Sequence, residues 1–201
     1  AYEGNNSSQT ITNDIDLSGK GGLVWTKTRD IGDAHRLFDT ERGTSHELGT
    51  HSTAGNGGGV SCTYNSDGFT LGNSSSSNSN NDFISWTFRK QSKFFDVLTY
   101  TGTGVNGRTV SHNLGTTPGM IIVKQYSAAG EPWYVYHRSL GATKRIYLSS
   151  NSAAGTSDDG FYDTEPTSTE FTVAYNGTNK SGESYVAYVF AHNNSDGGFG
   201  E

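Results

Sequence analysis

Val110-Ser111-His112-Asn113-Leu114-Gly115-Thr116-Thr117-Pro118-Gly119-Met120-Ile121-Ile122-Val123-Lys124 reads as a strand, a corner and a second strand. Residues 109–114 alternate in polarity and stop at Gly115, which tolerates a positive φ. Pro118 lacks an amide hydrogen, and Gly119 permits close backbone approach before the next strand. Residues 120–124 are then apolar almost without interruption, as expected of a central sandwich strand. Outward from this corner, further strands are expected at 133–137, 145–148, 170–173 and 184–191, each bounded by turn residues. No stretch sustains a helical period. Short strands at this spacing predict an all-β sandwich or jelly roll.

The same order of features occurs earlier in the chain. Tyr2, Gly4, Lys27, Gly43, Phe69 and Phe88 return as Tyr100, Gly102, Lys124, Gly141, Phe171 and Phe190. The spacing widens along the chain, and only across segments read as loops, where insertions cost little. A repeat of this length is a duplicated domain rather than a short solenoid unit. The expected organisation is two tandem, similar, jelly-roll-like β-sandwich domains, 1–95 and 98–194, followed by a flexible C-terminal exit at 195–201. Residues 96–99 read as a short joint between them. The Asn- and Ser-rich stretch 73–81 reads as a mobile loop between two strands.

Composition narrows the function classes. Charged residues make up 17% of the chain and the net charge is −6, with no Lys/Arg stripe, which argues against a phosphate-tracking nucleic-acid binder. The surface is instead rich in Ser, Thr, Asn and Gly, which suits an extracellular or particle-exposed protein. A single cysteine, Cys62, excludes an intrachain disulfide and reads as a small strand residue. No apolar run reaches membrane-spanning length, so membrane insertion is not expected. Aromatic residues are 12% of the chain, so large rings are expected to carry the core.

The string from Tyr100-Thr101-Gly102 through Lys124, with Trp133-Tyr134-Val135-Tyr136-His137-Arg138 and Tyr185-Val186-Ala187-Tyr188-Val189-Phe190-Ala191-His192, resembles repeated β-domains in structural proteins of marine tailed bacteriophages, especially cyanophage-type fibre or appendage proteins. The resemblance covers both copies and is stronger in the second. It implies a virion protein exposed on the particle surface, with other virion proteins as partners and no catalytic residues. The first copy departs from the pattern, with Thr12-Asn13-Asp14-Ile15-Asp16-Leu17 where the second has Ser111-His112-Asn113-Leu114. His112 is therefore given no general role.

The sequence offers residues for three kinds of chemistry. His35, His46 and His51 share a stretch with Asp33, Asp39, Glu41 and Glu47, but the second copy places Lys144 and Arg145 where the first has His46 and Glu47. Solvated residues account for this stretch, and neither a metal site nor a cofactor is expected. Asp158, Asp159, Asp163, Glu165 and Glu170 could supply the paired carboxylates of a glycosidase, yet most lie among turn residues that favour Asp for conformational reasons. Glycan binding fits better, because aromatic faces stack on sugar rings. Trp133, Tyr126 and Tyr162 are the candidate ligand-binding residues, Trp133 because it follows Glu131-Pro132 at a strand start. Trp25 and Trp86 sit inside apolar strands and read as core.

The expected function is a non-enzymatic virion structural protein: a fibre, appendage or capsid-surface module that contacts host surface polysaccharide. Two alternatives are a glycan-degrading phage depolymerase and a bacterial extracellular adhesin or carbohydrate-binding module. A homo-oligomer, with a trimer as the fibre-like case, would bury sheet edges.

Overall fold

β-Branched and aromatic side chains at alternate positions turn the expected runs into antiparallel strands. The computed structural model describes residues 1–156 and 158–193, and the expected exit at 195–201 lies outside them. The described residues form strands and turns, with no helix. The chain divides into two units, Ala1–Arg89 and the remainder from Lys90 onward.

The first unit holds β1 (Tyr2–Glu3), β2 (Gln9–Thr12), β3 (Gly22–Thr28), β4 (Arg36–Asp39), β5 (Leu48–Gly49), β6 (Cys62–Tyr64), β7 (Gly68–Leu71) and β8 (Asp82–Arg89). The second holds β9 (Phe95–Thr101), β10 (Arg108–Ser111), β11 (Pro118–Gln125), β12 (Tyr134–His137), β13 (Lys144–Tyr147), β14 (Gly155–Thr156), β15 (Glu170–Val173) and β16 (Ser184–Ala191). The larger sheet of the first unit runs β1-β8-β3-β4-β5, and that of the second runs β9-β16-β11-β12-β13 with β14 added at the edge. The duplicated sequence thus produces a duplicated strand order. The smaller sheets are β2-β7-β6 and β10-β15.

In each unit the two sheets share a core. Val110, Phe171 and Val173 of the smaller sheet cluster with Ile121, Val123, Tyr136, Tyr185, Ala187 and Val189 of the larger one. In the first unit Phe69 and Leu71 meet Val24 and Phe38 in the same way, with Cys62 beside them. Burial pushes the Cys62 thiol well above its usual range, as befits a packed strand residue. Each fully buried Phe or Leu contributes about 1.5–3 kcal/mol by leaving water.

The two units are also closed by the same device. The Tyr2 hydroxyl donates to the Ser77 carbonyl at 2.6 Å, and Tyr100 donates to the Thr178 carbonyl at 2.7 Å. The Tyr2 ring stacks on Phe83 with centroids 5.2 Å apart, and the Tyr100 ring on Tyr185 at 5.1 Å. Two residues on, a Cβ at Gly4 would stand 1.9 Å from the Ser79 carbonyl oxygen, and one at Gly102 would stand 2.0 Å from that of Lys180. Only glycine lets these backbones meet. Asn78 accepts from the Asn5 amide, and Asn179 from the Thr103 amide.

Two expectations are corrected here. Residues 96–99 are not a joint but the middle of β9, where Leu98 pairs with Ala187 and Asp96 with Val189. Asp96-Val97-Leu98-Thr99 does not alternate in polarity, so its pattern does not mark a strand. Residues 73–81 are not a loose loop: Ser74, Ser76, Ser77 and Asn78 are buried. The Asn78 amide nitrogen also donates to the Ser7 and Gly72 carbonyls. Small polar side chains can be buried when backbone partners satisfy them, which composition alone does not reveal.

Candidate functional site

Register on β3 sets up the most distinctive surface of the first unit. Val24 pairs with Phe38 and faces the core, so its neighbour Trp25 must point to the opposite face. There Trp25 lies opposite Leu37 on one side and Trp86 on the other. His35, just before β4, completes the group. The Trp25 indole Nε1–H donates to His35 Nδ1 at 2.8 Å. The His35 ring stacks on Trp86, with centroids 6.4 Å apart and planes 13° from parallel. Trp25 meets Trp86 edge-on at 6.2 Å and His35 edge-on at 5.7 Å.

Trp25, His35, Trp86 and Phe88 line a cleft of about 240 Å³. Trp86 is 42% exposed, although an apolar ring of that size is normally buried. A second cleft of about 320 Å³ also includes His35, with Gly32, Asp33, Ala34 and His51. Neither cleft is lined by a lysine or arginine.

The protonation state of His35 follows from its neighbour. An indole can only donate, so Nδ1 must offer its lone pair and the proton of the neutral ring sits on Nε2. Burial pushes the His35 pKa below the usual histidine value, with Lys27 and His51 adding to the effect. Nearby charges are committed elsewhere. Lys27 Nζ donates to the carbonyls of Thr28 and Ile31. Arg36 pairs with Glu47 at 3.4 Å. Burial raises the Glu47 pKa, opposed by Arg36 and reinforced by Asp33. One Asp33 carboxylate oxygen accepts from the Ala34 amide.

The residues singled out in the sequence fall at separate places. Trp133 is 0% exposed, stacked on Tyr188 at 6.4 Å, and so it cannot offer a ring face to a ligand from solvent. Its place after Glu131-Pro132 marks a strand start that is interior rather than exposed. Tyr126 is half-buried just past β11, its amide donating to the Ser184 carbonyl. Tyr162 is 38% exposed, with φ 50°, followed by Asp163 at φ 48°. Its ring covers Gly107, where a Cβ would come within 3.1 Å of Tyr162 Cε1. Trp25 and Trp86, read as core, instead carry the cleft.

Two of the acidic candidates, Asp159 and Glu165, are held by structural bonds. Asp159 pairs with Arg145 at 2.7 Å. Glu165 accepts from the Tyr136 hydroxyl at 2.6 Å and from the Ala142 amide at 2.8 Å. Asp39 and Arg42 form a fully buried pair at 2.6 Å. Among the described residues, no group of three or more His, Cys, Asp or Glu is placed to hold a metal ion. His112 packs against Phe171, and burial pushes its pKa below the ordinary value.

Both copies keep the strand lysine. Lys27 ties down the segment that follows β3, and Lys124 donates to the Glu131 carbonyl at 2.9 Å after β11. Burial brings the Lys124 pKa down to about 8, with Glu131 opposing the shift.

Residues 1–200 match the family described as Domain of unknown function (DUF7483), and the chain belongs to that family. No curated protein and no solved structure matches it.

Proposed function

We propose that this member of the DUF7483 family is a non-enzymatic structural module of a phage particle, displayed on a fibre, an appendage or the capsid surface, where it contacts host-surface glycans. In this reading it consists of two tandem jelly-roll-like β-sandwich domains. The observation that carries the proposal is the agreement between the copies. Strand order, the Tyr-x-Gly closure and the loop asparagine are repeated. Apart from the strand lysine, the charged and histidine residues of the candidate sites are not: the histidine at position 35 becomes Trp133, and Arg145 and Asp159 pair within the second unit. A duplicated architecture without a duplicated ionisable constellation suits a load-carrying or display role better than turnover. The sequence resemblance to phage β-domains points the same way, and sheet edges would be protected in a homo-oligomer, such as a trimer.

Mass spectrometry and antibody labelling of purified particles test this role. The protein is expected in the particle, with label on its outer surface. Its absence from particles would reject the proposal. So would release of reducing ends from host polysaccharide that disappears in Asp159→Asn while the variant keeps its melting temperature.

A further inference from the structure

We propose that the cleft formed by Trp25, His35, Trp86 and Phe88 in the first unit binds one ring of a neutral saccharide, with Trp86 as the stacking platform and His35 Nε2–H as a donor to a sugar hydroxyl. The assignment deepens the glycan-contact part of the proposed function and rests on it.

Four observations converge. The first is the exposed indole, 42% accessible on a sheet face whose neighbours Leu23 and Leu37 are buried. An accessible indole beside an apolar wall suits the C–H face of a pyranose. Secondly, the Trp25–His35 bond fixes the imidazole tautomer and holds its ring nearly parallel to Trp86. Nδ1 is occupied by Trp25, and Nε2–H has no protein partner among the described residues. It is a preset donor on a ring that borders both cavities.

Thirdly, size and charge limit the occupant. About 240 Å³ falls below the span of pockets for larger organic ligands, roughly 300–1,000 Å³. A single ring unit fits that scale. The adjoining cleft offers Asp33 as an acceptor and no cation. Lys27 is tied to backbone carbonyls and Arg36 to Glu47. No lysine or arginine lines either cleft, and the Asp33 carboxylate would repel an anion, so a neutral sugar is favoured. Finally, the cleft is specific to one copy. The positions of Trp25, His35 and Trp86 are taken in the second unit by Ile122, Trp133 and Tyr188, all buried. The shared fold therefore does not require an open aromatic cleft.

The test uses the full chain, with tryptophan fluorescence and calorimetric titration of mannopentaose, galactopentaose and cellopentaose, and polygalacturonate as the anionic comparison. The expected result is saturable binding of at least one neutral probe. Trp86→Ala should weaken it at least about tenfold, and Trp86→Phe should weaken it less. His35→Phe, which keeps a ring on Trp86 but removes the donor, should also weaken it. Unchanged melting temperatures show that these variants fold. Failure of every neutral probe overturns the proposal, as does preference for polygalacturonate. Self-association that is lost in Trp86→Ala overturns it by assigning the face to a second copy of the chain. Neutral binding that survives both Trp86→Ala and His35→Phe rejects this cleft but leaves glycan contact standing elsewhere. Particle labelling is unaffected by any of these outcomes, so the particle role is judged separately.

Discussion

His35 on Trp86 and Trp133 on Tyr188 are the same ring pair built at equivalent places in the two units. Both pairs stand 6.4 Å apart, with planes 13° and 16° from parallel. Yet Trp86 is 42% exposed while Trp133 and Tyr188 are each 0% exposed. The scaffold reproduces ring geometry faithfully, because strand register and pleat direction set where each side chain points. It does not reproduce the environment. Recognition can therefore be gained in one copy simply by leaving open a face that the other copy buries.

The largest effect that could break this comparison comes from truncating the rings. Trp133→Ala should cost about 3–5 kcal/mol, as for other fully buried aromatic residues. Trp86→Ala should cost clearly less, because much of its surface is already in water. Denaturant unfolding of both variants measures the gap. Equal losses would mean that Trp86 is covered in solution.

The Tyr-x-Gly closure provides a test of sameness rather than difference. Gly4→Ala and Gly102→Ala each drive a methyl into a carbonyl oxygen, at 1.9 Å and 2.0 Å. Both should destabilise by about 1–3 kcal/mol through forced backbone shifts. A marked inequality in thermal melts would show that the two closures are not energetically equivalent.

The smallest effect expected is in pH. Both His35 and His112 have pKa values lowered by burial, so the unfolded chain binds protons that the folded chain resists. Their stabilising contribution is present above the unfolded histidine pKa, near 6.5, and is lost as pH falls through the folded values. Melting temperature should thus decline on acidification below that point. His112→Phe should flatten the profile more than His35→Phe, because solvent screens the partly exposed cleft. The reverse order would place His35 in a drier setting than the structure gives it.

Much of the fold was legible in the sequence. Residues 170–173 and 184–191 were read as strands at the bounds the structure has, and the run at 120–124 lies within the strand between β12 and β16. Residues 170–173 alternate in polarity, 120–124 and 185–191 are near-continuous apolar runs, and turn residues punctuate all three. β1, β5, β6 and β14 are not legible in the sequence, since two- or three-residue strands carry too little pattern. The closing asparagines Asn78 and Asn179 do not stand out in the sequence, because Asn78 sits in a low-complexity run. Their equivalence shows only when the spacing between copies is followed through that loop.

The candidate site was barely legible, although one signal was present. Phe83-Ile84-Ser85-Trp86-Thr87-Phe88 has large apolar residues on both parities, with Ser85 and Thr87 on the core side. Such a strand has one apolar face more than a single shared core can use. Trp133 stands at the position equivalent to His35 and is buried in the second unit.

The amino-acid sequence by itself determined the all-β class and the duplication, because alternation, turn chemistry and repeat spacing are local properties of the chain. Only tertiary structure decided which aromatic face meets water. Exposure depends on what packs over a sheet, and that is settled by contacts between residues far apart in sequence.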